Sequence, residues 1–228
     1  MGAILDALST SNPASRRARH SFIRRAVTAL TIVTLVAGCG DSSHRYLANK
    51  SEHVYLRVPR DWKDVPFSDT DADRLEAKTS QATLVWRVAA STDPKATPTL
   101  ADADYPLVFM AVYQLDGELN QNMSASLARV AASPTGFDPV LPKDSSQSAL
   151  VEVVSYAPLA FDNMNGTRVV FRSRATADTD YQLVYDMSAA YDSHNFRLYV
   201  LQVGCNVTCY DNNSEAIATV ANSWLVNP

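Results

Sequence analysis

The second half of the chain repeats one pattern, a strand-length apolar segment followed by a short polar turn. Four such segments occur, separated by three turn signals. Segments of this length joined by short turns pair with their neighbours, so the pattern predicts an antiparallel meander of hairpins. The predicted strands are Ala149–Tyr156, Gly166–Arg174, Tyr181–Ser188 and Phe196–Gly204, with turns at Asn165-Gly166, Ala177–Asp180 and Asp192–Asn195.

Side-chain alternation within these strands indicates their surroundings. In the second strand Val169 and Phe171 point to one face, whereas Arg168 and two further arginines, Arg172 and Arg174, point to the other. We therefore expect part of one face of the sheet to be solvated. The last strand, FRLYVLQV, is apolar on both faces, which predicts a central position in the sheet.

The first half of the chain mixes strands and helices. Strands are predicted at His53–Val58, Thr83–Ala89 and Leu107–Gln114, and helices at Ser68–Lys78 and Asn122–Ala132. A last helix, Ser214–Trp224, carries an apolar stripe and should lie across the sheet. The predicted fold class is therefore α+β, with a central, mainly antiparallel sheet and a closing C-terminal helix.

Two stretches of the first half invite a functional interpretation. Asp69, Asp71 and Asp73 mimic the opening of a calcium-binding loop, but Arg74 stands where the required glycine belongs. These acids are better explained as helix-start residues that favour the helix dipole. The proline-rich stretch 91–106 is predicted to be a long surface loop, which is either a binding edge or a plain connection.

The amino-terminal segment has the layout of a bacterial lipoprotein signal. Five arginines precede a 12-residue apolar run, Ala26–Ala37, which is too short to span a bilayer as a permanent helix. The run ends in Val36-Ala37-Gly38-Cys39, which resembles a lipobox, the motif in which the cysteine receives a lipid and becomes the first mature residue. An ordinary secretory signal with a chance cysteine is the alternative, and Arg16-Arg17 leaves the export route, general secretory or twin-arginine, open.

This signal divides the chain into three parts. They are a signal peptide at 1–38, a short polar tether at 39–50 and a single domain at 51–228. The predicted location is the extracytoplasmic face of the cell membrane, with the lipid on Cys39 as the contact with the bilayer.

The charge of the chain excludes one class of partner. The whole chain has a net charge of −4, and its first 38 residues contain five of the 20 basic residues and only one of the 24 acidic ones. The remaining part is therefore more acidic than the whole. Because phosphate binding requires a basic surface, nucleic acid is not an expected partner.

Two cysteines remain beyond the lipobox, Cys205 and Cys209 in the sequence CNVTC. In an oxidising compartment we expect a disulfide between them, which requires a turn of the chain because the two Cα atoms must lie within about 7 Å. A redox-active pair is the alternative, although the CxxC spacing is missing. Zinc is not expected, since two cysteines without a nearby histidine pattern do not complete a site.

The residue types needed for hydrolytic or phosphoryl-transfer catalysis do not form a recognisable pattern. The sequence has no GxSxG motif and no glycine-rich phosphate loop. Beyond the signal, the histidines are His44 in the tether, His53 at a strand start and His194 in a turn. We therefore predict a protein that is not an enzyme, with no catalytic residues, no metal and no cofactor.

The order of elements resembles the PsbP-like group of domains, in particular the actinobacterial LpqN-type lipoproteins. The specific marks are Val58-Pro59, Asp61-Trp62 and Ser223-Trp224-Leu225, and the resemblance covers about residues 50–228. It implies an α/β/α sandwich and non-catalytic roles as accessory or protein-binding domains, some proposed to contact host factors. The chain departs from the LpqN type in its short tether and its CNVTC pair, and the group has no catalytic motif to carry over.

Two functional hypotheses follow. The first is a non-catalytic protein-interaction or accessory module of the cell envelope, with exposed loop aromatics such as Tyr105, Phe137 and Tyr191 and a protein partner that the sequence does not identify. The second is a carrier or sensor of an apolar or small envelope ligand. It predicts an enclosed apolar cavity of at least about 300 Å³ between sheet and helix.

The lipobox gives a direct test. Cys39→Ser removes the thiol that would receive the lipid, so we expect release of the protein into the medium or an unprocessed precursor at the membrane. Fractionation and the mass of the mature chain measure this. Normal processing together with normal membrane retention would refute the lipobox.

Overall fold

The strand-forming segments assemble into two antiparallel sheets in a computed structural model, which describes residues 43–67, 81–93, 95–97, 104–161 and 164–227. The larger sheet has seven strands in the order β3-β4-β5-β9-β8-β7-β6, and the smaller has the order β1-β2-β10. The strands are β1 (His44–Asn49), β2 (Val54–Pro59), β3 (Lys63–Asp64), β4 (Ala82–Ser91), β5 (Leu107–Leu115), β6 (Val151–Phe161), β7 (Met164–Ser173), β8 (Leu183–Asp192), β9 (Arg197–Asn206) and β10 (Leu225–Val226).

Four helices complete the described part of the chain. Their bounds are α1 (Gly117–Asn122), α2 (Ala125–Ala132), α3 (Ser145–Ser148) and α4 (Val207–Asn222). The predicted α+β class, the antiparallel meander over β6–β9 and the C-terminal helix are confirmed. The apolar β9 lies at the centre of the seven strands, as its two apolar faces predict.

The fold has three layers around two apolar cores. One face of the large sheet packs against α4 and the small sheet, through residues such as Leu56, Met110, Leu201 and Ile217. The opposite face packs against α2 and the loop after it, through residues such as Phe109, Phe171 and Ala128. We call these the α4 face and the α2 face. Within the described residues, no helix is long and apolar enough to cross a membrane.

The first hairpin of the meander turns at a different place from the one predicted. Asn165 and Gly166 lie inside β7, where Asn165 pairs with Ala160, and the strand register closes at Phe161 and Met164. This register buries Met164 and packs Phe161 edge-on against Trp224, with ring centroids 5.5 Å apart. Burial of these side chains outweighs the local preference of Asn-Gly for a tight turn.

The observed helices begin at residues fixed by side-chain caps, and these starts differ from the ones predicted from the apolar periodicity. Ser124 accepts a hydrogen bond from the backbone N–H of Leu127 and starts α2, so the predicted helix 122–132 begins three residues later, at Ala125. The separate helix α1, Gly117–Asn122, was not predicted. Asn206 accepts from the N–H of Cys209, so α4 starts at Val207, earlier than the predicted Ser214. The polar run Asp211–Asn213 interrupts the apolar stripe of α4, so the periodicity was recognised only from Ser214.

The expected tether is partly structured. His44–Asn49 forms β1 and pairs along its length with β2, with Leu47 opposite Leu56. Residues 39–42, the lipobox, the signal segment and the acids at 69, 71 and 73, with the helix predicted at Ser68–Lys78, lie outside the described residues. The loop 91–106 is described only at 91–93, 95–97 and 104–106.

Gly204 on β9 is required by a close approach of the neighbouring strand. A Cβ atom there would overlap the carbonyl oxygen of Val184 and lie 3.3 Å from the Cα of Tyr185. We expect Gly204→Ala to lower the free energy of unfolding by about 1 to 3 kcal/mol, because a backbone oxygen cannot move aside as a side chain would. Urea denaturation followed by circular dichroism measures the change.

Gly117→Ala is the matched control. Gly117 opens α1, and no heavy atom of the described residues lies within 4 Å of the added methyl group. Its stability should be unchanged or raised by up to about 1 kcal/mol, because alanine favours the helix. Equal loss of stability in the two variants would show that the contact at Gly204 is not the cause.

Candidate interaction edge

Strand β6 forms one edge of the large sheet and is open on its outer side. Within the described residues it has one hydrogen-bonded neighbour, β7. Residues 152–158 are all exposed, and three of them are large and apolar: Val153, Val154 and Tyr156 are 41%, 54% and 48% exposed. An outer edge of this kind presents unpaired backbone N–H and C=O groups beside apolar side chains. We call residues 151–157 the β6 edge.

A β-bulge sets the direction of the side chains on the β6 edge. Val153 pairs with Phe171 and Tyr156 pairs with Val169, so Val154 is the extra residue. Directly paired residues share a face of the sheet, and Phe171 and Val169 belong to the core on the α2 face. Val153 and Tyr156 therefore both lie on the α2 face, although a regular strand would place them on opposite faces.

Tyr156 is held in place from beneath by α2. The guanidinium carbon of Arg129 lies 5.4 Å from the centroid of the Tyr156 ring, within the range of a cation–π contact. Arg129 is fixed in turn by Asp138, with Nε–Oδ1 and Nη2–Oδ2 distances of 2.8 and 2.7 Å, and both side chains are almost fully buried. The paired fork leaves little freedom to the guanidinium, so the aromatic side chain rests on a rigid support.

Asp138 is ionised in the folded protein. Burial raises the pKa of its carboxyl group, but hydrogen bonds donated by Arg129, by the Ser126 hydroxyl and by the Val140 backbone N–H outweigh burial, and the pKa lies below its ordinary value. The same hydrogen bond raises the pKa of Arg129, because it favours the charged form of both partners. The pair therefore stays charged throughout the neutral range.

A second buried pair lies under α4, on the opposite face of the sheet. Arg168 donates from Nε to Oδ1 of Asp186 at 2.6 Å and also contacts Asn222 of α4. Burial raises the pKa of Asp186 despite the neighbouring guanidinium. The side chain of Arg168 is 21% exposed, because α4 covers this part of the face and supplies a polar partner. Arg172, on the same face, is 40% exposed, in agreement with the prediction that part of the face is solvated.

The two cysteines predicted to pair are bonded in the structure. The sulfur atoms of Cys205 and Cys209 form a disulfide with a Cα–Cα distance of 5.9 Å. The turn needed to bring them together is the passage from the end of β9 to the first turn of α4, and both residues are buried. The bond ties the last core strand to the helix that covers it.

The three histidines beyond the signal segment occupy separate places. His44 contacts the hydroxyl of Ser43, while His53 contacts the carbonyl oxygen of Asn227 through Nδ1. His194 is mostly exposed, with its Nδ1 atom 3.7 Å from Oδ1 of Asp192. Among the described residues, no group of three His, Cys, Asp or Glu side chains could hold a metal ion.

His53 lines a polar cavity of about 290 Å³ with Glu52, Arg197 and Tyr199. Its charges are already satisfied, because Nε of Arg197 donates to Oε2 of Glu52 at 2.8 Å. Burial, with Asp192 and Glu52 nearby, raises the pKa of Tyr199 to about 12, so the phenol remains protonated at neutral pH. The phenol of Tyr199 is therefore not an activated nucleophile at neutral pH.

The loop aromatics proposed from the sequence are only partly exposed. Tyr105 is 52% exposed, whereas Phe137 and Tyr191 pack against the core on the α2 face. The aromatic residue that stands at an open edge, Tyr156, was not among them. The signal for it was the run VEVVSY at the start of the meander, because the first strand of a meander has a sequential neighbour on one side only.

An apolar groove of about 290 Å³ lies at the rim of the α2 layer. Met123, Leu127 and Val130 line one side, and Ala82 and Leu198 lie on the sheet side. It has nearly the volume expected for a carrier, but it is a partly open groove and not an enclosed cavity.

The buried pair beneath Tyr156 generates a testable prediction. Asp138→Asn removes the charge that compensates Arg129, and an uncompensated buried guanidinium should cost about 3 to 5 kcal/mol of unfolding free energy. The full decrease in unfolding free energy should be observed at pH values above the ordinary carboxyl pKa. It should shrink as the pH falls through the lowered pKa of Asp138, where the wild type also loses the charge. Denaturant unfolding at a series of pH values gives the measurement.

Glu152→Gln is the control, because Glu152 and Arg172 form an exposed pair at 3.4 Å. Its cost should not exceed about 1 kcal/mol. A similar cost for both variants, independent of pH, would show that the buried pair does not stabilise the fold through its charge.

Three comparisons with known proteins gave matches only among solved structures. No protein family model and no curated protein sequence matches the chain. Among solved structures, the chain is similar to the cyanobacterial PsbP (CyanoP) of Synechocystis sp. PCC 6803, with 10% identity, 83% of this chain and 96% of that chain covered, and a TM-score of 0.49. It is also similar to LpqN, which is involved in cell envelope biogenesis of Mycobacterium tuberculosis. The identity is 10%, the match covers 81% of this chain and 91% of LpqN, and the TM-score is 0.45. The Ran-binding protein Mog1p of Saccharomyces cerevisiae follows, with 9% identity, coverage of 80% and 95%, and a TM-score of 0.40. The first two are of the PsbP and LpqN types that the sequence resembles.

Proposed function

We propose that this chain is a lipid-anchored, extracytoplasmic and non-catalytic module of the cell envelope that binds a protein through the β6 edge. The single observation that carries the proposal is an open sheet edge with three large, exposed apolar side chains, one of which, Tyr156, is fixed from below. The lipobox at Cys39 supports the location.

The β6 edge has the properties needed to add a strand. Extended segments bind to open sheet edges through backbone hydrogen bonds, while side chains on alternate positions supply specificity. Glu152 is the only charged residue of β6, and it is paired with Arg172. Pro158 has no N–H to donate, so residues 151–157 are the part of the strand that can pair.

Tyr156 has the character of an anchor residue. Tyrosine combines a large apolar ring with a polar tip and loses little conformational freedom on binding. Contact with the paired Arg129 reduces that freedom before a partner arrives. Preorganised aromatic side chains of this kind carry much of the binding energy in protein interfaces.

Photo-crosslinking tests the proposal in the membrane. The full chain with p-benzoylphenylalanine in place of Tyr156 should give light-dependent protein adducts in an actinobacterial host. The same amino acid at Val85 should not. Val85 is the matched control because it is also the extra residue of a bulge, 41% exposed, on strand β4. Absence of adducts from positions 153, 154 and 156 alike would contradict a protein partner at this edge.

The apolar groove supports a second candidate function, a carrier of an apolar envelope ligand. Its lining by Met123, Leu127 and Val130 suits an aliphatic chain and offers no charge to an ionic ligand. Native mass spectrometry of the mature protein from its own membrane should then show a discrete non-protein adduct, and Leu127→Asp should remove it. A bare protein mass before and after the substitution would set this function aside.

A further inference from the structure

We infer that the partner of the β6 edge is a second copy of this chain, paired antiparallel through β6 so that the two large sheets become continuous. The inference rests on the proposed function, because it names the partner of the same edge.

The first argument is the self-complementarity of the β6 edge. When Val153 of one copy stands opposite Tyr156 of the other, a two-fold axis passes between positions 154 and 155. Both residues lie on the α2 face because of the bulge. The dimer would therefore contain two identical pairs of an aromatic and a β-branched side chain, a favourable cross-strand combination.

The charges are compatible with this register. Glu152 would stand opposite Ala157, so no two like charges face each other. The two copies of Glu152 would lie about 17 Å apart along the strands, five residues at the rise of an extended chain. That separation exceeds the screening length of about 8 Å at physiological salt, so their repulsion is small.

The second argument concerns the anchors. A two-fold axis that relates antiparallel strands of one sheet is perpendicular to the sheet, so both copies turn their α4 faces to the same side. β1 belongs to the layer on that face, where Leu47 packs into the same core as Ile217 of α4. Ser43, next to β1, is four residues from Cys39, which allows at most about 14 Å between them. Both lipid anchors would therefore emerge on one side and reach the same bilayer.

The pairing is expected to be weak in dilute solution. A contact built on about seven residues of strand buries less area than the roughly 1,200 Å² of stable complexes. Confinement of both copies to one membrane raises their effective concentration and compensates for the small area. The dimer is therefore a property of the anchored protein.

Two differently tagged full-length copies, expressed together, crosslinked with formaldehyde in intact membranes and then purified through one tag from detergent extracts, test the inference. Wild-type copies should co-purify, and Val154→Lys in both copies should reduce the recovered partner about tenfold or more, because the two charges meet beside the axis. Val85→Lys in both copies is the control and should change recovery less than about twofold. Unchanged melting temperatures of the single variants establish that they are folded.

Placing like or opposite charges at position 154 of the two copies makes the test specific for a two-fold interface, because the two positions then lie close together. Val154→Glu in both copies should also abolish co-purification, whereas Val154→Lys in one copy and Val154→Glu in the other should restore it. Wild-type copies that do not co-purify, or that still co-purify when both carry Val154→Lys, would overturn the inference. If Tyr156 then crosslinks only to proteins of other mass, the proposed function stands and the second copy is excluded. If it gives no adduct, both fail.

Discussion

The large sheet is apolar on both of its faces, and the rest of the fold follows from the need to cover them. β9 is buried along nearly its whole length, on the α4 face and on the α2 face. A sheet of this kind is stable only as the middle layer of three. The chain meets this need with α4 and a small sheet on one side and with α2 on the other. On β6, Val153, Val154 and Tyr156 stay exposed although Tyr156 contacts Arg129 of α2, so among the described residues this edge is both apolar and open.

Much of the fold could be predicted from the sequence because local alternation and burial agree over most strands. The meander, the central β9 and the helix across the sheet all depend on patterns visible within single segments. The turn at Asn165-Gly166 was wrong because the burial of Met164, a long-range effect, outweighs a local turn preference. β1 was missed because one residue of six, Leu47, is buried, and a single apolar residue has no period.

The exposure of the β6 edge was harder to predict from the sequence. Whether a strand is an edge depends on its neighbours in space, and the exposure of Tyr156 follows from the position of α2 over other strands. Phe137, by contrast, looked like a loop aromatic and packs against the core. Arg129 and Asp138 are nine residues apart in the sequence and show no motif, yet they form the polar support of the edge. Buried pairs of this kind depend on tertiary geometry alone, whereas a disulfide between two cysteines in an oxidising compartment could be expected from composition.

The small sheet joins the two ends of the domain, so it cannot form until the carboxyl-terminal strand β10 has been synthesised. β2 pairs with β10, and the hydroxyl of Ser223 binds the backbone of Arg57 at a separation of 166 residues. The amino-terminal hairpin therefore lacks its neighbours until nearly all of the domain has been synthesised. Long-range pairing of this kind slows folding. If the proposed signal directs the chain to the general secretory route, which carries unfolded chains, such a delay keeps the amino-terminal hairpin from closing before export.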